Sequence, residues 1–311
     1  MTITDFYFLT VIGLIKSVRL FPWVQLKSFM VRCIVFTTYR VLRDKRQLSE
    51  KHLSEVFDEK FSKDQMKRII KRSFYEFWYD TFSLLPSSLK KVELRQTHLH
   101  GVEHLQMALK NGKGVIVWES STFGRRILAK QILHENGFAV HQVHAENHLL
   151  GGFTAGGGYA TWMQNHKIKP FFEKCENQFV SEIIYLPNSE SLVFTRILLG
   201  RLKQNGILCI AGGGRFGQKL IPIRFLGRTD ILSTGIVSLA KISGAPILPM
   251  FCIQEENGKT TLIIEPHLLT QSDVDRERGL ERIVAQYVSL LESYIRRYPE
   301  QYQNWHFARV S

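Results

Sequence analysis

GVIVWESSTFGRRILAK, residues 114–130, decides the fold. A glycine turn leads into a short apolar strand, then a polar stop, then an amphipathic run that reads as a helix. A strand–stop–helix unit places its polar residues at the carboxyl end of a strand, where open α/β sheets bind ligands.

The same alternation continues outward. Strands are expected at 114–118, 139–143, 182–186, 207–211, 220–225, 247–253 and 260–264. Helices are expected at 102–110, 123–135, 192–204, 234–242 and 274–297. Strands separated by helices predict an α/β fold, a mostly parallel sheet flanked by helices. No internal repeat or low-complexity linker interrupts it. The first 90 residues read differently, as helices. Ser62 and Gln65 have capping-box spacing, and Met66, Ile69, Ile70, Phe74 and Phe77 recur at helical spacing until Pro86. Two regions follow: a helical segment over 1–90 and an α/β domain over 91–311.

The N-terminal segment is apolar but interrupted by Lys16, Arg19, Lys27 and Arg32, and broken by Pro22. A spanning helix needs about 20 consecutive apolar residues, which this stretch lacks. Aromatic and aliphatic residues interspersed with cations fit helices lying in a membrane interface, cations toward anionic headgroups. A buried helical hairpin is the alternative.

The chain has 311 residues, 44% hydrophobic and 22% charged, enough to bury a core. Its formal net charge of +13 favours an anionic partner, either a membrane surface or an acidic carrier protein. Nucleic acid is not expected, because no helix-turn-helix, zinc or aromatic RNA-binding motif accompanies the charge. Cys33, Cys175, Cys209 and Cys252 form no C-x-x-C pair, so neither a thiolate metal site nor a disulfide framework is expected. His141, His144 and His148 cluster around Glu146, but His141 and His144 face opposite ways on a strand, which argues against a metal. The runs GGFTAGGGYA and AGGGRFGQK match neither a Walker A nor a dinucleotide fingerprint, and no cofactor is expected.

The polar stop supplies the site candidates. Glu119 at the strand end could act as a base if burial raised its pKa, or could pair internally with an arginine. Ser121 and Thr122 offer hydroxyls that need a base to become nucleophiles. Arg125 and Arg126 open the helix and could hold an anionic group there. His144, just past the expected end of the second strand, is a further base candidate. Gly212, Gly213 and Gly214 could expose N–H groups to an anion, with Arg215 adding charge.

Four stretches in order resemble the lysophospholipid acyltransferase superfamily, and within it the bacterial late acyltransferases of lipid A biosynthesis. They are RQLSEKHLSEVF, HGVEHLQMALKNGKGVIV, LIPIRFLGRTDILSTGIVSLAKISGAPILPMF and RRYPEQYQNWHFAR. The resemblance implies acyl transfer from the thioester of an acyl carrier protein or coenzyme A to a lipid-like or small-molecule acceptor. It also implies a peripheral position on the cytoplasmic face of a bacterial inner membrane. The family's signature is His, four residues, then Asp or Glu: a base and its orienter. Ungapped, Ser121 falls at the histidine and Arg126 at the acid. Aligned on Phe123 and Gly124, the pair becomes Thr122 and Ile127. The dyad is unmatched either way. Two readings remain open: an acyltransferase with an atypical site, or an inactive protein of that fold that binds lipid or carrier.

Overall fold

The computed structural model of the protein describes residues 13, 24–41, 43–58, 60–82, 97–145, 166, 169–186, 192–212, 219–268 and 276–306. The described elements open with the helices α1 (Val24–Val41), α2 (Arg43–Phe57) and α3 (Lys63–Phe82). The capping box forms as expected. Ser62 N–H donates to Gln65 Oε1 at 2.7 Å, and Gln65 N–H donates to Ser62 Oγ at 3.3 Å. Ile70, Phe74 and Trp78 line the buried face of α3. No helix among the described residues is long and apolar enough to cross a membrane.

The rest alternates strand and helix: β1 (Thr97–His100), α4 (Val102–Lys110), β2 (Val115–Ser120), α5 (Arg126–Glu135), β3 (Val140–Ala145), α6 (Lys169–Glu176), β4 (Glu182–Leu186), α7 (Leu192–Lys203), β5 (Ile207–Gly212), β6 (Leu220–Phe225), β7 (Arg228–Ser233), α8 (Gly235–Ser243), β8 (Ile247–Gln254), β9 (Thr260–Ile264) and α9 (Arg276–Arg297). Two 3-10 turns, Pro299–Gln301 and Gln303–His306, follow. Seven strands form one sheet in the order β1-β9-β8-β2-β5-β3-β4. Every pairing in it is parallel except β8 with β9.

Helices cover both faces of this sheet. Ile116, Trp118, Leu208 and Phe251 point to the side of α7, α8 and α9, where Leu202, Val237 and Tyr287 are buried. Val115, Val117, Cys209 and Met250 point the other way, against Leu105 of α4 and Leu128 and Ile132 of α5. Strand β2 is therefore buried along its whole length, as a central parallel strand must be.

Elements the sequence pattern missed have local causes. The unexpected strand β7 pairs with β6, which stands where it was expected, in a separate antiparallel hairpin turned by Leu226 at φ 49° and Gly227 at φ 79°. These are the two left-handed positions of a tight hairpin, and Glu292 accepts the Leu226 N–H at 3.0 Å. A helix was expected from residue 123, but α5 starts at Arg126. Gly124 sits at φ +74°, and a Cβ there would lie 2.5 Å from the Cys252 carbonyl oxygen. That backbone contact delays the helix and fixes where Arg125 points.

Candidate active site

The carboxyl ends of β2, β5 and β3 lie side by side, and α5 leaves from the first of them. Ser121 is exposed in the β2–α5 turn and Thr122 is half-buried. The Ser120 hydroxyl accepts the Thr122 N–H at 3.3 Å.

Arg125 does not face an open anion site. Its side chain is buried, and all three guanidinium nitrogens are used inside the chain. Nε donates to Glu76 Oε2 at 2.7 Å, one terminal nitrogen to Thr260 Oγ1 at 3.0 Å, and the other to Gln254 Oε1 at 2.9 Å. Tyr79 stacks beneath it at 4.3 Å. Glu76 keeps Arg125 protonated more firmly than an ordinary arginine, against the cost of burial. The helix N-terminus is occupied as well. Asp80 of α3 accepts the backbone N–H groups of Ile127 and Leu128 at 3.1 and 3.3 Å. The anion expected between Arg125 and the start of α5 thus comes from the chain itself, which corrects the reading of Arg125 as a substrate contact. Arg126 is half-buried at the same helix start.

Glu119 points to the α5 side of the sheet and is buried. Its partners are neither Arg125 nor Arg126. Lys130 Nζ lies 3.7 Å from Oε1, and Gln142 donates to the same oxygen at 3.0 Å. Lys130 also lies 3.4 Å from Glu176 Oε1, and the other oxygen of Glu176 meets His144 Nε2 at 2.9 Å. A buried chain therefore runs Glu119, Lys130, Glu176, His144. Sequence reasoning named its two ends and missed its middle. Lys130 and Glu176 sit in helices whose amphipathic patterns gave no sign that a charge faced inward. Burial pushes the His144 pKa below its ordinary value, against the upward pull of Glu176, while Lys130 and Arg126 add to the lowering. His141 faces away, with Nδ1 3.2 Å from Glu182, as strand alternation requires.

Gly212 ends β5, and a Cβ on it would overlap the Trp118 indole nitrogen at 1.5 Å. The indole fills the space over the glycine and stacks on Tyr287 at 3.9 Å. Gly212 thus admits a side chain of the core. Gly213, Gly214, Arg215, His148 and Glu146 lie outside the described residues. No group of three or more metal-ligating side chains occurs among the described residues.

The PEQYQNWH segment folds over the β2–α5 turn. Gln303 N–H donates to the Thr122 carbonyl at 2.7 Å, its side-chain amide donates to Gly124 at 3.1 Å, and Phe123 bridges Tyr302. Gln301 bonds the backbone of Gln254 in both directions, at 2.8 and 2.6 Å. This ending shapes the turn from behind.

The family profile described as bacterial lipid A biosynthesis acyltransferase matches residues 158–307. The chain is therefore similar to these acyltransferases over just under half its length, from before α6 through the 3-10 turns. The match includes Glu176 and leaves out β2, β3 and the turn carrying Ser121. No curated protein matches the chain.

Proposed function

We propose that the protein is an acyltransferase. It moves an acyl group from a carrier-protein or coenzyme A thioester to a hydroxyl or amine of a lipid-like or specialised-metabolite acceptor. The observation that carries this reading is the family match over 158–307, on a sheet whose central strand β2 leads directly into an exposed hydroxyl residue of the following turn, Ser121. Similarity to lipid A acyltransferases favours acyl transfer in general. The unmatched dyad at Ser121 and Arg126 favours an acceptor or a proton path different from that of its relatives.

The working site lies at the carboxyl ends of β2, β5 and β3, with Arg126 as the cation for an anionic donor or acceptor group. The enzyme acts peripherally on the cytoplasmic face of a bacterial inner membrane. Its excess positive charge draws it to anionic headgroups and to an acidic carrier.

One observation favours a second reading, an inactive protein of this fold that binds lipid or carrier. Glu119 is locked between Lys130 and Gln142 and is not turned toward solvent. The two are separated by incubating purified protein with acyl carrier protein and coenzyme A thioesters plus bacterial membrane lipid, then following masses. A new acylated lipid or acyl-enzyme supports transfer. Binding of thioester with every mass unchanged supports the inactive reading.

A further inference from the structure

The first half of α3 exposes a ridge of cations. We propose that this ridge, made by Lys63, Lys67, Arg68 and Lys71, docks an acidic helix of the carrier protein that delivers the acyl donor. The proposal rests on the acyl-transfer reading.

Spacing builds the ridge. Lys63, Lys67 and Lys71 recur every four residues, and Arg68 starts a second row beside them that Arg72 continues. Lys63, Lys67, Arg68 and Lys71 are exposed, while Met66, Ile69 and Ile70 of the same turns pack on the core. The three lysines span about 12 Å along the axis, at intervals of about 6 Å. A partner helix with carboxylates four residues apart has the same pitch, so lysines and acids can meet one to one. One acid of this chain, Asp64, lies among the cations, in the first turn where the helix dipole favours it. Among the described residues, none of the four cations of the ridge forms a salt bridge. Lys71 leans on an aromatic ring instead, its Nζ 5.1 Å from the Tyr39 centroid.

The chemistry of the ridge selects a protein over a bilayer. Helix α1 exposes Phe29 and Phe36, whereas no large apolar side chain of α3 is exposed among the described residues. A helix that lies in a membrane interface inserts apolar residues, and this face has none to insert. Complementary charge without apolar contact steers and orients a protein partner.

Arg72 ties the ridge to the crevice. It stands one turn beyond Arg68, pairs with Glu76 at 2.7 Å and donates to Gln254 Oε1. Gln254 is the last residue of β8, the parallel neighbour of β2. The second row of cations therefore ends at the carboxyl ends of the strands. A carrier docked on α3 sits beside the crevice that receives its thioester.

The test compares two donors on the full chain with bacterial membrane lipid present: dodecanoyl acyl carrier protein and dodecanoyl-coenzyme A. They share the thioester and differ in the protein. Lys67→Glu with Lys71→Glu should weaken carrier binding about tenfold at low salt, chiefly by slowing association. The difference should fade near 1 M salt, where the screening length is about 3 Å. KM for the carrier donor should rise about as much, read by thiol release, with kcat and the coenzyme A KM unchanged. Lys63→Gln with Lys67→Gln removes charge without reversing it and should give a smaller loss. It serves as the readout should the double reversal not fold. Lys203→Glu with Lys241→Glu, exposed on α7 and α8, changes the net charge equally and should leave carrier binding native.

Native carrier binding by a folded α3 variant overturns the proposal, and acyl transfer stands if thiol is still released. An equal loss in the α7–α8 control overturns it, because overall charge is then the cause. A coenzyme A KM raised as much as the carrier KM overturns it as well. Release from phosphatidylglycerol vesicles with carrier binding intact assigns the ridge to the membrane and overturns it. Carrier bound through α3 with no thiol released from either donor upholds the docking face and overturns the acyl-transfer reading.

Discussion

Arg125 of the β2–α5 turn and Glu76 of α3 form a fully buried pair, Nε to Oε2 at 2.7 Å, and the second Glu76 oxygen meets Arg72 at 2.7 Å. The N-terminal helices thereby hold the entrance of α5 from outside the sheet. Removing one partner strands a buried charge, at a cost of about 3–5 kcal/mol. Glu76→Gln and Arg125→Ala should each lower the melting temperature sharply. A folded Arg125→Ala protein of native stability with a raised donor KM would restore a substrate role to this arginine.

Asp80 predicts an unusual pH response. Burial raises its pKa above the ordinary 3.8, against the downward pulls of Arg126, two backbone N–H groups and Lys130. The folded state then holds the proton more tightly than the unfolded chain. The contribution of Asp80 to stability is complete below the unfolded pKa and is lost as pH rises through the folded one. Asp80→Asn still accepts N–H bonds and stays neutral, so at neutral pH it should be at least as stable as wild type in urea melts. Asp80→Ala strips the helix cap and should cost about 0.5–2 kcal/mol. An Asn variant as damaged as the Ala variant at neutral pH would mean the carboxylate charge itself is needed.

The C-terminal turns predict a structural phenotype for a motif that looks functional. Trp305 is fully buried, its indole N–H donates to Pro299 at 2.7 Å, and its carbonyl oxygen lies 2.9 Å from His52 Nδ1 in α2. Trp305→Ala should cost about 3–5 kcal/mol. Gln303→Ala frees the Gly124 carbonyl beside the turn, so it should lower thioester turnover more than it lowers the melting temperature. Native turnover in Gln303→Ala would detach the strap from the site.

Period and punctuation carried most of the sheet. Strands β4, β6 and β9 and helix α4 fall where the apolar runs end, because β-branched runs bounded by Gly, Pro and polar residues leave little choice. Strand β1, THLH, was illegible, since its exposure alternates and half its residues are histidine. Strand β7 was hidden because a leucine takes the left-handed turn position. Among site residues, Glu119 and His144 were legible from their places at strand ends. Lys130 was not, because nothing local distinguishes an inward-facing lysine in ILAKQIL from a solvated one. Its partners lie on β2 and α6, and only the tertiary fold brings them to it.

Helix α1 is the element expected to meet a membrane surface. One stripe of this helix, Phe29, Arg32, Cys33, Phe36 and Arg40, is exposed, while Val31, Ile34 and Val35 are buried in the core. Phe29 is 63% and Phe36 57% exposed, and the Arg40 guanidinium lies 4.2 Å over the Phe36 ring. Aromatic rings beside cations on a surface helix match an anionic bilayer interface. Burying one such ring contributes about 1.5–3 kcal/mol, and each nearby cation adds about 1 kcal/mol at low salt. The Phe29→Ser, Phe36→Ser double variant should therefore lose about 10²-fold in partitioning to phosphatidylglycerol vesicles. Arg32→Gln with Arg40→Gln should weaken binding less, and chiefly at low ionic strength. Val193 and Ile197 on α7 are also exposed, at 62% and 39%, so Val193→Ser with Ile197→Ser serves as the control for general loss of apolar surface. Cosedimentation decides it. If the double phenylalanine variant pellets with the vesicles as wild type does, or if the α7 control releases the protein equally, α1 is not the face that meets the membrane.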